Sequence, residues 1–135
     1  MFTFFGLFAD PVSGLSEQIS RTWPGLNVVK MEQPISAVAV RFGDDTYESE
    51  REDTPEPVIR TVEGLSREFP DARYLLLRTE CWGGICANWG QITQTGRTVL
   101  EASGHEALRR LIKHWGVDLG PTEIFAPLGR DFTWE

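Results

Sequence analysis

The residues best equipped for chemistry lie in one short run, Glu80-Cys81-Trp82-Gly83-Gly84-Ile85-Cys86-Ala87-Asn88-Trp89-Gly90. It holds both cysteines of the chain and two of its five tryptophans. Gly83-Gly84 between two apolar runs signals a two-residue hairpin, because glycine takes a positive φ at both central turn positions without steric cost. Folded that way, Trp82 faces Ile85, Cys81 faces Cys86, Glu80 faces Ala87 and Arg78 faces Trp89.

The pair just outside a turn-closing pair is not hydrogen-bonded and holds its side chains close, so a cross-strand disulfide is sterically allowed. A ring of so few residues removes little chain entropy, and free cysteine usually behaves as a small buried hydrophobe. The leading expectation is therefore two reduced, largely buried thiols, with the disulfide as the alternative. A cysteine nucleophile or redox centre at Cys81 or Cys86, assisted by Glu80, needs a thiolate activated by a base, and the only histidines are His105 and His114. These sit nine positions apart on one expected helix, about 900° around its axis, and so cannot ligate one ion. Cys-x4-Cys followed by these histidines matches no common zinc spacing, and no metal or cofactor is expected.

The opposite face of the hairpin would carry Arg78, Glu80, Trp82 and Trp89. Half-exposed tryptophans beside charges are typical interaction anchors, and Arg78 over Trp89 would make a cation–π pair. The simpler expectation is that the last helix or the C-terminal tail covers both rings.

A second feature is electrostatic. Asp44, Asp45, Glu48, Glu50, Glu52, Asp53 and Glu56 stand against Arg51 alone, which concentrates most of the net charge of −7 in one segment. Its spacing is not that of a calcium loop, so it reads either as a solvated charge run or as a steering patch for a basic protein partner. Nucleic-acid binding requires clustered Lys and Arg, and none occurs. Phosphate-loop, dinucleotide, serine-hydrolase and zinc-protease signatures are also absent.

These residues need elements to hold them. Phe2 to Phe8 is apolar on both alternating faces, as a central strand would be. Asp10-Pro11 reads as the cap and first turn of a helix running to about Trp23. Strands follow over Leu26 to Glu32 and Ala37 to Phe42, the second with Val38, Val40 and Phe42 on one face and two alanines on the other. Thr54-Pro55 opens a helix whose Val58, Val62, Leu65 and Phe69 share a stripe, ending before Pro70. Arg73 to Trp82, Ile85 to Gln94 and Thr98 to Ala102 form a meander, and Ser103-x-x-Glu106 reads as a capping box for a helix closed by Gly116. The last nineteen residues show no period.

The order predicts one α+β domain spanning residues 1–135: a ferredoxin-like βαββαβ core, extended by a β-hairpin and a C-terminal helix, with a predominantly antiparallel sheet. A composition of 41% hydrophobic and 24% charged residues supports a packed fold. The apolar start lacks a basic flank and is too short to span a bilayer, so no membrane role is expected, and the low cysteine count points to the cytoplasm. The functional expectation is a non-catalytic, bacterial, immunity-like or inhibitory interaction protein. A cysteine-dependent enzyme and a small-molecule binding module are the alternatives.

Overall fold

The computed structural model describes residues 2–42, 56–129 and 131–134. The elements are β1 (Phe2–Ala9), α1 (Leu15–Thr22), β2 (Val29–Met31), β3 (Ala37–Arg41), α2 (Glu56–Glu68), β4 (Tyr74–Trp82), β5 (Ile85–Gln94), β6 (Arg97–Ser103) and α3 (Ala107–Ile112). Single 3-10 turns follow at Lys113–Trp115 and Ala126–Leu128. The strands form one antiparallel sheet in the order β2-β3-β1-β4-β5-β6.

Side-chain alternation sorts the core into two layers. Phe5, Leu7, Ala9, Val38, Val40, Phe42, Tyr74 and Leu76 face α1 and α2, which contribute Leu15, Ile19, Val58, Ile59, Val62 and Leu65. On the reverse face Phe4, Phe8, Ala37, Ala39, Leu75, Leu77 and Ile92 meet Ala107, Leu108, Leu111 and Ile112 of α3 together with Phe125. The small side chains of Ala37 and Ala39 leave room there for aromatics. Phe125 lies edge-on to Phe8 at 5.4 Å, and Trp134 packs against Phe4 and Phe8 at 5.4 and 5.9 Å. The tail that lacks any sequence period is thus a cover for the half of this face that α3 does not reach.

Three local expectations are corrected. Asp10 does not cap α1, which begins later, after Gly14 in the left-handed conformation. Its carboxylate instead accepts hydrogen bonds from the backbone N–H, Nε and Nη2 of Arg73 at 2.7, 2.8 and 2.9 Å and from Trp115 Nε1 at 3.1 Å. The capping box also fails to form, because Ser103 stays in β6 opposite Trp89 and Glu106 adopts a positive φ without capping through its side chain. The cap comes from the tail: a Glu123 carboxylate oxygen accepts the Arg109 backbone N–H at 2.9 Å. Finally, β2 is confined to three residues rather than seven, since only Val29, Lys30 and Met31 pair with β3. The Thr54-Pro55 helix start and the acidic segment to Asp53 lie outside the described residues.

Polar groups close the remaining gaps. The Tyr74 hydroxyl donates to the carbonyls of Leu65 and Phe69, and burial, reinforced by Glu68 and Asp10, raises its pKa well above the usual phenol value. Ser66 donates to the Glu63 carbonyl and accepts the Gly96 N–H at 2.7 Å, which fastens α2 to the β5–β6 turn.

Two glycines give opposite expected outcomes. A Cβ at Gly90 would lie 2.6 Å from Leu111 Cδ1 and 2.9 Å from the Leu76 carbonyl, so Gly90→Ala should destabilise by about 1–3 kcal/mol in denaturant unfolding. Gly64 lies inside α2 with nothing within 4 Å of that position, so Gly64→Ala should stabilise by about 0.5–1 kcal/mol.

A pH effect follows from the link between α3 and the tail. Arg109 holds Asp118 through hydrogen bonds at 2.8 and 3.2 Å, and with the Gly120 N–H this lowers the carboxyl from 3.8 to about 2. A depressed carboxyl adds stability that is complete above the unfolded value and lost as pH falls through the folded one. Side-chain NMR titration should place the Asp118 midpoint near 2 in the wild type and closer to 3.8 in Arg109→Ala.

Candidate functional site

The Gly83-Gly84 turn takes φ values of 53° and 85°, the two positive angles that a type I′ hairpin requires. This sets the β4–β5 register as the spacing implies: Arg78↔Trp89, Glu80↔Ala87, Cys81↔Cys86 and Trp82↔Ile85. The neighbouring strands stop short of the turn. β1 follows β4 as far as Phe2↔Cys81, whereas β6 follows β5 only from Trp89↔Ser103 onward. On the β6 side the hairpin therefore overhangs the sheet, and among the described residues no strand lies beside its edge from Ile85 to Ala87.

Cys81 and Cys86 are joined as a disulfide, with Cα atoms 4.0 Å apart. This corrects the expectation of two reduced, buried thiols: the turn brings the pair into direct opposition, and the missing neighbour leaves Cys86 exposed and Cys81 only half-buried. Thr79 and Asn88 share their face, with the Thr79 hydroxyl donating to Asn88 Oδ1 at 2.7 Å. Glu80 lies on the other face by strand alternation, where it ion-pairs with Arg78 at 3.6 Å. It is not directed at either sulfur.

The Glu80 face is the second part of the site. Trp82 is half exposed and Ile85 is 75% exposed, an apolar pair at the very end of the sheet. Trp89 is half-buried against the α1 and α2 layer, and its indole N–H donates to Glu101 at 3.0 Å. Gln91 donates to the same carboxylate oxygen at 3.1 Å. Neither α3 nor the tail covers these rings, because both pack on the reverse face. Ile85 is an addition to the expected site, legible as the turn-closing partner of Trp82. Glu101 carried no signal, since its position depends on the β-bulge between Ile92 and Thr93.

Asp44, Asp45, Glu48 and Glu50 lie outside the described residues. His105 and His114 are both exposed. Among the described residues no group of three His, Cys, Asp or Glu side chains is arranged to hold a metal ion, and no helix is long and apolar enough to cross a membrane. A shallow depression of about 360 Å³ lies between α1 and the segment leading into β2, lined by Ser16, Glu17, Ser20, Asn27 and Lys30 among others. Its lining includes no hairpin residue and mixes polar with apolar groups, Leu26 and Val28 among them.

No protein-family model matches the chain, and neither a curated protein nor a solved structure does.

The turn itself is testable. No atom lies within 4 Å of a Cβ built at Gly84, so the cost of Gly84→Ala is that of the left-handed backbone alone. Denaturant unfolding should register a loss of about 1–2 kcal/mol, and a change within error would contradict the turn geometry.

Proposed function

We propose that this protein is a non-catalytic, immunity-like or inhibitory interaction protein that engages a basic protein partner through the hairpin end of its sheet. The observation that carries the reading is the exposure of Trp82 and Ile85 at an overhanging hairpin whose polar neighbours are already engaged with one another. Large apolar side chains ringed by satisfied polar groups are the usual composition of an interface centre.

Charge gives the choice of partner. Phe42, the last described residue before the acidic segment, donates its N–H to Phe5, and β1 runs from there towards the strand end paired with Cys81. α2 carries the chain back across the sheet with its C-terminal half near Tyr74 and Gly96, so that its first residue, Glu56, lies on the hairpin side. Phe42 lies level with Phe5, which pairs with Arg78 midway along β4. The negative charge of Asp44, Asp45, Glu48 and Glu50 would attract a basic partner, whereas nucleic acid would be repelled.

The same reading takes the core as ferredoxin-like, supported by interior β1 and β3, with α1 and α2 on one face. It also keeps the protein in the cytoplasm, where thiols are held reduced, so the bond at the hairpin tip would be made and broken rather than permanent.

Replacing Asp44, Asp45, Glu48 and Glu50 with Asn or Gln should slow association with a partner captured from the native cell by about tenfold at low salt, and flatten the salt dependence. Trp82→Ala should instead accelerate dissociation, weakening binding by about 2 kcal/mol while leaving the melting temperature nearly unchanged. Surface plasmon resonance separates the two rates, and unchanged values for both variants would refute the reading.

A further inference from the structure

We propose that the Cys81–Cys86 pair is a thiol–disulfide exchange site, entered at Cys86 by an external dithiol reductant and opened without loss of the fold. The assignment rests on geometry around the hairpin tip and does not depend on what that end of the sheet binds.

Access comes first. Cys86 is exposed on the one stretch of β5 that β6 does not flank, whereas Cys81 is half-buried with Phe2 of β1 directly beside it. An incoming thiolate therefore meets the Cys86 sulfur from a side that, among the described residues, no strand blocks. Disulfides in compact domains are usually shielded by the core they staple, but neither cysteine belongs to either core layer here.

Tolerance of reduction is the second condition. The β4–β5 ladder continues from Trp82↔Ile85 through seven intervening pairs to Tyr74↔Thr93, and β1 pairs with β4 from Tyr74 to Cys81. The type I′ turn closes the same short ring without covalent help. Opening the bond thus leaves two thiols side by side in an intact hairpin and creates no cavity. A bond that closes so short a ring constrains the unfolded chain less than one that closes a long loop.

The exchange balances as follows. A thiolate of the dithiol forms a bond to Cys86 Sγ while the Cys81–Cys86 bond breaks, and Cys81 leaves as a thiolate that takes a proton from water. The second thiol of the reductant, deprotonated, then attacks the reductant's first sulfur in the mixed disulfide, breaking its bond to Cys86 Sγ, and Cys86 leaves as a thiolate that is protonated in turn. Two electrons pass from the dithiol to the protein, and the dithiol becomes a disulfide.

The test uses the full chain with dithiothreitol at neutral pH and no denaturant, followed by alkylation with iodoacetamide and intact-mass measurement. Two alkyl groups per chain are expected, at a rate within about tenfold of that for the denatured chain, with the far-UV circular dichroism unchanged. A bond that opens only with denaturant, or a reduced chain that loses its circular dichroism, overturns the proposal. Entry at Cys86 is tested separately with oxidised glutathione on the single-thiol variants. Cys81→Ser, which leaves Cys86, should form the mixed disulfide about tenfold faster than Cys86→Ser, and equal or reversed rates would remove Cys86 as the point of entry. The wild-type experiment stands by itself if a variant fails to fold.

Discussion

The central strand dictates the architecture. Phe4, Phe5, Leu7, Phe8 and Ala9 of β1 are all buried, and their alternation sends apolar surface to both sides of the sheet. A strand of this kind is stable only when each face is covered by a separate layer. α1 and α2 supply one cover with two amphipathic stripes. The other face asks for more area than the two turns of α3 provide, and Phe125, Leu128, Phe132 and Trp134 of the tail make up the difference. Gly6 belongs to the same solution. A Cβ there would lie 2.6 Å from the Phe4 ring and 2.8 Å from the Val40 carbonyl, so its absence is what lets Phe4 lie flat along β1.

One carboxylate ties these layers together. Asp10 gathers three N–H groups of Arg73 and the indole of Trp115, while the Arg73 guanidinium lies 4.6 Å over the Trp115 ring and also donates to the His114 carbonyl. The end of β1, the start of β4 and the end of the last helical turn are thereby joined at one point. Charge-assisted hydrogen bonds shared by two elements are stronger than neutral ones, and at a half-buried site they are screened less than surface pairs. This accounts for the delayed start of α1: an oxygen that accepts from Arg73 and Trp115 is not available to a helix N-terminus.

Much of this was legible because it is periodic. Stripes such as Val58, Val62 and Leu65, the alternation in Val38 and Val40, and the glycine pair at the hairpin all report local geometry, and the corresponding elements formed. The failures share a different cause. Asp10 and Ser103 both have good capping chemistry, yet each lost to a partner distant in sequence, Arg73 in one case and the β5 ladder in the other. Glu123 caps α3 from beyond the helix, and Trp134 packs on Phe4 from the far end of the chain. Such contacts have no periodic signature. The same distinction holds at the hairpin, where local turn geometry implied the opposition of Cys81 and Cys86. Their exposure depended on where β6 ends.

That ending also shapes what the hairpin can do. An unpaired strand edge is an invitation to self-association, and proteins limit the risk by keeping such edges short. Here the open stretch covers only Ile85 to Ala87, too little for extended sheet addition, so what this end presents is side chains rather than backbone. Trp82 and Ile85 sit one pair beyond the last residue of β4 that β1 flanks, where no third strand supports the ladder. The Cys81–Cys86 bond compensates by fixing the tip one pair away from them. A rigid apolar tip binds without first being ordered, and the entropic cost of association falls accordingly.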